Sequence, residues 1–209
     1  SDRKNKVSSH YIISKRGFCY NLVEDHYRAW HAGLSKWKKI KDLNSYSLGI
    51  ELDYSGPLLK NESFSTKQIE VLIKLIKFLK KKYNIKNKNI LGHSDISPYR
   101  KIDPGKKFPW DKLFIKKIGY LPKKNINYKK SIKNKKFVVM SQTQKVNEII
   151  YILNIIGYDV SKAKKNKKFF KDLIMAYQMH FQSKKISGII DFETYETIKK
   201  HVSFVLTNK

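Results

Sequence analysis

The sequence predicts an α/β protein, with a mixed central β-sheet flanked by helices and a small C-terminal domain of three helices. Three observations predict this. Between residues 8 and 52, short runs rich in β-branched and aromatic residues alternate with turn residues. From Ser65 an apolar stripe recurs at helical spacing behind a capping residue. Beyond a lysine- and asparagine-rich stretch at 123–136 the apolar spacing stays helical to the end. These features divide the chain into a first domain over 1–122, a linker over 123–136 and a helical domain over 137–209.

In chain order, 8–14 (SSHYIIS) reads as a strand, Lys15-Arg16-Gly17 as a turn and 18–23 as a second strand, together a hairpin. His10 within the first strand reads as a half-buried histidine bonded to a neighbour rather than a catalytic group. Residues 29–33 form a loop carrying Trp30 and His31, where the tryptophan either covers the core or faces outward. A basic surface loop follows at 36–41 and contains Trp37. Asn44-Ser45 leads into the run 46–52, whose apolar content suggests a central strand buried on both faces.

Glu51 falls inside that run. A buried carboxylate must be paired, protonated or functional, and desolvation raises its pKa toward the range suited to a general base. The alternative is an alternating strand with Glu51 on its wet face, and Asp53 is not placed in the site. After a loop at 55–62, Ser65 and Gln68 form a capping box for a helix whose inner face is Ile69, Leu72, Ile73, Ile76 and Leu79. The lysines at 74, 77, 80, 81 and 82 take its outer side and last turn. Ile90-Leu91 reads as a short strand delivering His93 at its end, and 141–156, 169–181 and 192–202 read as helices.

With 41% hydrophobic and 13% aromatic residues, a packed globular core is expected in a chain of this length. Its 45 Lys+Arg against 17 Asp+Glu give a net charge of +28, which attracts polyanions. The lysines are spread through every segment beside many Asn and Ile, so nucleic acid is not expected as the main partner. No apolar run approaches the roughly 20 residues of a membrane span. Cys19 is the single cysteine, which excludes an internal disulfide. The chain opens Ser-Asp without a hydrophobic signal or lipid-attachment cysteine, so any targeting segment is expected upstream. A monomer is expected.

Residues 92–105, GHSDISPYRKIDPG, concentrate the chemistry. His93 and Asp103 are ten apart with Pro98 between them and Pro104 just after, which excludes one regular helix and suggests a loop that returns on itself. Spacing alone leaves two readings, a hydrogen-bonded turn or a pair of metal ligands. A hydrolytic zinc site uses three protein ligands and an open position. Asp95 either orients an imidazole or caps the turn. Arg100 either holds the loop or meets a substrate carboxylate bidentately.

The run at 92–105, followed by Phe108-Pro109-Trp110, resembles the zinc-dependent N-acetylmuramoyl-L-alanine amidases, the family related to peptidoglycan-recognition proteins. The resemblance continues through Val7-Ser8-Ser9-His10-Tyr11, through Arg28-Ala29-Trp30-His31-Ala32-Gly33 and through NSYSLGIEL at 44–52, covering about the first 115 residues in four ordered blocks. It implies a peptidoglycan-recognition-like fold and hydrolysis of the amide joining N-acetylmuramic acid to L-alanine, for cell-wall turnover or recycling. It implies Zn2+ as cofactor with His93 and Asp103 as ligands, Glu51 as the catalytic glutamate and Lys101 as the group that steadies the oxyanion. Trp30, His31 and Arg100 are the expected substrate-binding residues, and His10 lies on a strand near the site.

The sequence departs from the family at one point. Related amidases take their first zinc-binding histidine from a strand ahead of the block at 7–11, and no histidine precedes Val7. The expectation is a fragment lacking that strand, or a protein without activity, with zinc weakly held by two ligands. Stoichiometric zinc in this chain alone would make His10 or His31 the third. Residues 176–182 (AYQMHFQ), 188–191 (GIID) and Thr194 are similar to the small three-helix peptidoglycan-binding domain, with Asp191 capping the last helix, Gly188 permitting the turn and His180 packed rather than ligating. Such a domain on a flexible linker would raise the local concentration of enzyme at the wall. Peptidoglycan or muropeptides are the implied partners. The bacterial envelope is the implied location, in the periplasm, attached to the outer membrane or secreted. The alternative is a non-catalytic peptidoglycan-binding protein with an incomplete zinc site.

Overall fold

The protein is seen as a computed structural model that describes residues 7–55, 63–122, 137 and 139–207. The proposed linker at 123–136 and most of the loop at 55–62 lie outside these residues. Strands β1 (Tyr11–Ile13) and β2 (Cys19–Asn21) pair antiparallel as the expected hairpin, with Tyr11 opposite Asn21. The turn between them closes where the Gly17 amide donates to the Ser14 carbonyl at 2.9 Å. Strand β3 (Ile50–Leu52) joins β1 in parallel, Ile12 opposite Glu51, and the sheet order is β2-β1-β3.

The run at 46–52 is therefore not one buried central strand. Its first part belongs to a short helix, α1 (Leu43–Tyr46), and β3 sits at an edge of the described sheet. Asn44 explains the break, because its side chain accepts two backbone amides from the preceding loop and cannot do so from an extended ladder. Ile50 and Leu52 turn into the core while Glu51 turns out, the alternation of a half-buried strand.

Helix α2 (Thr66–Tyr83) covers the sheet with Ile69, Leu72, Ile76 and Leu79 buried. Its capping box is half formed. The Ser65 hydroxyl accepts from the Gln68 amide at 3.1 Å, but the Gln68 side chain turns inward and donates to the carbonyls of Ile13 (2.8 Å) and Asp53 (3.2 Å). Gln68 thus ties α2 to β1 with an amide that is fully buried. Asn84, left-handed at φ 51°, ends the helix. Ile90-Leu91 is not a strand. A single 3-10 turn at Asn87–Asn89 precedes it, and His93 opens a one-turn helix, α3 (His93–Ile96). Helix α4 (Trp110–Ile115) closes the core against Ile13 and α2.

The C-terminal helices are α5 (Gln142–Ile156), α6 (Lys167–Phe181) and α7 (Phe192–Thr207), close to the three expected. Gln178 knits them from a fully buried position. Its amide nitrogen donates to the Ile189 carbonyl and the Thr194 hydroxyl, both at 3.1 Å, and its oxygen accepts from the Ser187 and Gly188 amides. Asp191 caps α7 by accepting from the Thr194 amide at 2.8 Å, as the sequence suggests.

These helices share one core with the N-terminal part. Trp37, expected on a basic surface loop, is buried and packs edge-on against Tyr158 with ring centres 5.2 Å apart. Leu43 and Ala32 join the same cluster as Ile149, Leu153, Leu173 and Tyr177. Gly157 is required at the seam. Its φ is +138°, and a Cβ there would lie 2.8 Å from the Trp37 ring. The Tyr99 hydroxyl adds a bond to the Asp159 carbonyl at 2.6 Å.

Candidate active site

Two polar loops meet beside β3. In the first, the chain leaves α3 and turns so that the Ser97 carbonyl accepts from the amides of Arg100 and Lys101, both at 3.0 Å. It then returns until the Asp103 carbonyl accepts from the Ser94 amide at 2.9 Å. Pro98 and Pro104 have no amide to extend a helix, which favours this reversal. The return brings His93 Nδ1 to 2.8 Å from Asp103 Oδ2, so the two residues singled out by their spacing do meet.

The second loop, 29–35, is fixed from beneath. Asn44 Oδ1 accepts from the amides of His31 (3.0 Å) and Ala32 (2.7 Å). Arg100 ties this loop to the first, its guanidinium donating to the carbonyls of Ala32 (2.8 Å) and Leu34 (3.2 Å) and to the Ser97 hydroxyl (3.1 Å). Of the two roles open to Arg100, these bonds are those of a residue that holds the loop. His31 lies on bare backbone at Gly49, where a Cβ would stand 2.2 Å from the imidazole Cγ, so only glycine admits the ring. Trp30 faces outward, about half exposed, with the Arg28 guanidinium 3.9 Å from its ring centre.

Glu51 reaches solvent on the outer face of β3, yet the charges of Asp103, His93 and Lys101 all act on it. Desolvation by the surrounding walls raises its carboxyl above the ordinary range, the nearby Asp103 charge raises it further, and His93 and Lys101 oppose this in part. Asp103 moves the other way. Burial works against its charge, but the hydrogen bond and charge of His93, with help from Lys101, hold it below the usual value. Two carboxyls with divergent proton affinities beside an imidazole and an ammonium can divide ligand and base roles between them. His31 is pushed down to about 4, first by desolvation and then by the field of His10, so it is neutral at pH 7.

Imidazole nitrogen and carboxylate oxygen are donors that suit zinc, and here they converge. Among the described residues no group of three His, Cys, Asp or Glu is placed to hold an ion. His10 has both nitrogens committed: Nδ1 accepts from the Gly49 amide and Nε2 donates to the Tyr27 carbonyl, each at 3.0 Å. His31 Nε2 faces the Ser47 carbonyl at 3.2 Å. The residues present fit two donor positions of a zinc site.

Asp95 does not touch the His93 ring. Its carboxylate caps the Gly92 amide at 2.7 Å and otherwise points to the C-terminal helices. Sequence reasoning missed Asn44 as the anchor of the His31 loop, and a buried asparagine beside a turn leaves no periodic signal. An open cleft of about 550 Å³ lies beyond His10, walled by Tyr27, Arg28, Tyr46 and Tyr83. Asp25 within it is already bonded to Tyr11, Lys82 and Tyr83, and the cleft contains neither Glu51 nor His93.

A family model for N-acetylmuramoyl-L-alanine amidase (Amidase_2) matches residues 1–106. The N-acetylmuramoyl-L-alanine amidase AmiD of Escherichia coli is 35% identical over 202 residues, which cover 90% of this chain and 71% of AmiD. The 1,6-anhydro-N-acetylmuramyl-L-alanine amidase AmpD of Haemophilus influenzae is 38% identical over 108 residues, 51% of this chain and 56% of AmpD. The crystal structure of AmiD with anhydro-N-acetylmuramic acid-L-Ala-D-gamma-Glu-L-Lys superposes with a TM-score of 0.82 at 31% identity, over 95% of this chain and 80% of that one. AmpDh3 of Pseudomonas aeruginosa, in complex with anhydromuramic pentapeptide, gives 0.80 at 29% identity, over 92% and 80%.

Proposed function

Because the chain belongs to the N-acetylmuramoyl-L-alanine amidase family, we propose that it hydrolyses the amide between the lactyl group of N-acetylmuramic acid and L-alanine in muropeptides. The observation that carries this reading is the convergence of His93 with Asp103 beside a carboxyl, Glu51, whose proton affinity is raised. His93 and Asp103 are the residues that would hold zinc. Zinc held there would supply polarisation of the scissile carbonyl and a water of lowered pKa.

The chain's own residues supply the rest. Glu51 takes a proton from the attacking water and returns it to the departing alanine nitrogen, leaving a lactyl carboxylate and a free amine. The Lys101 ammonium compensates the negative charge that gathers on the carbonyl oxygen. Trp30 and His31 would contact the muramyl-peptide, with His31 neutral and fixed against Gly49, and Arg100 holds the loop that carries them.

AmiD and AmpDh3 are both known in complex with anhydromuropeptides, which supports the same substrate class here and a role in wall recycling. The net charge of +28 suits a partner whose stem peptides carry carboxylates. We assign residues 1–122 to the amidase domain, 123–136 to the linker and 137–209 to a peptidoglycan-binding domain, and the protein to the periplasmic side of the envelope, as a monomer. No helix among the described residues is long and apolar enough to cross a membrane.

The test is incubation of the purified protein with zinc and an anhydromuramyl tripeptide, followed by mass spectrometry. Release of a tripeptide with a free alanine amine is expected once an upstream strand carrying the third zinc-binding histidine is present, and no release is expected from the two-ligand chain alone. With that strand present, binding without release would leave only the non-catalytic reading, and neither binding nor release would overturn both.

A further inference from the structure

Asp95 sits between His93 and the C-terminal helices, and each of its oxygens is taken. Oδ1 accepts from the Tyr158 hydroxyl at 2.6 Å, and Oδ2 accepts from His180 Nδ1–H and from the Gly92 amide, both at 2.7 Å. Asp95 is fully buried, and the His180 side chain is 3% exposed. Tyr158 lies just after α5 and His180 in the last turn of α6, so both partners come from the C-terminal part of the chain. The His180 ring lies flat on Trp110, centres 3.6 Å apart, and is stacked with Phe181 at 4.0 Å.

The amide that Asp95 caps immediately precedes His93. The amide immediately after it, from Ser94, is bound to the Asp103 carbonyl. The His93 backbone is thus pinned on one side by Asp103 and on the other by a carboxylate that two C-terminal side chains hold.

A buried carboxylate stabilises a fold poorly, since a well-packed apolar replacement is often as good or better. What three converging donors do provide is a single orientation. From this geometry we propose that Asp95 is a positioning residue for His93, held by Tyr158 and His180, so that the C-terminal helices set the aim of the imidazole. A displacement of about 1 Å at such a group lowers turnover by up to about a hundredfold.

The kinetic part of the test rests on the amidase reading, and an exchange measurement does not. In the full-length protein, Tyr158→Phe removes one oxygen, and His180→Phe keeps the ring stack but deletes the donor. His180→Asn places an amide N–H where Nδ1–H stood. Ser141→Ala, at the cap of α5, weakens the same helices away from Asp95. For Tyr158→Phe and His180→Phe, kcat should fall about tenfold or more with KM within about twofold, and the Gly92 amide should exchange about tenfold faster. His180→Asn should recover most of both, and Ser141→Ala should change neither. Unchanged Gly92 exchange in both Phe variants would overturn the proposal. So would a loss of kcat in Ser141→Ala as large as theirs. Should the parent show no turnover, the exchange comparison decides alone. Should His180→Phe not fold, Tyr158→Phe carries the test.

Discussion

At the scale of single residues, the divergence between Glu51 and Asp103 makes the first prediction. A base that is not a ligand can be neutralised without unloading the ion. In a full-length protein carrying the third zinc ligand, Glu51→Gln should lower kcat by about 10²–10⁴-fold, while zinc per chain, measured by atomic absorption, stays at the parent value. Loss of zinc together with activity would remove Glu51 from the base role. His201 makes the second. It is buried beside Tyr177, Phe181 and Tyr120, and desolvation first, then the His180 charge, push it down to about 3. In the unfolded chain it binds a proton below about 6.5, whereas in the folded chain it does so only near 3. Stability from this site is therefore full above pH 6.5 and lost progressively as pH falls toward 3, on the order of 5 kcal/mol in all. His201→Gln should flatten that part of a urea-unfolding profile measured between pH 7 and pH 4. Residue types and spacing draw attention to His93, Asp103 and Glu51 but leave a hydrogen-bonded turn and a wet strand face open, and it is the family resemblance that assigns them roles. The partners of Asp95 were not legible, since Tyr158 and His180 stand 63 and 85 residues away and nothing periodic links them to it.

At the scale of elements, local signals worked where they concerned one helix or one hairpin. They failed where a tertiary contact overrode them. Gln68 looks like half of a capping box, but the sheet offers its amide two carbonyls and takes it. Trp37 sits among lysines and looks exposed, but Gly157 opens a place for its ring. Two measurements follow. Ser65→Ala removes the side-chain cap at the N-terminus of α2 and should destabilise by about 1 kcal/mol, lowering Tm by about 2–4 °C. Gly157→Ala should be worse, about 2–3 kcal/mol, because the new methyl meets a rigid indole and the backbone is left-handed. If chemical denaturation shows the two to be equal, the Trp37 contact is looser than the structure has it.

At the scale of the molecule, composition and apolar spacing suggest a first domain, a linker and a helical domain, but give no sign that the C-terminal helices share a core with the N-terminal part. Apolar periodicity shows which face of a helix is buried and is silent about what buries it. Here the answer is a common core, from Ala32, Trp37 and Leu43 to Ile149 and Tyr177. Trp37 and Trp110 both stand at that junction, and Trp110 is stacked on His180. Tryptophan fluorescence and far-ultraviolet circular dichroism should therefore report one coincident unfolding transition in urea. Two separated transitions would mean that the halves unfold independently.

The Trp37 seat at Gly157 also bears on how such a chain can be rebuilt. Many wall-acting proteins could in principle be diversified by trading one appended helical module for another. In this one a hybrid joined between α4 and α5 would inherit an indole without its niche and a buried aspartate without its donors. Recombination would have to carry Trp37, Asp95, Tyr99 and Trp110 along with the helices they meet, so the heritable unit is the pair of halves together.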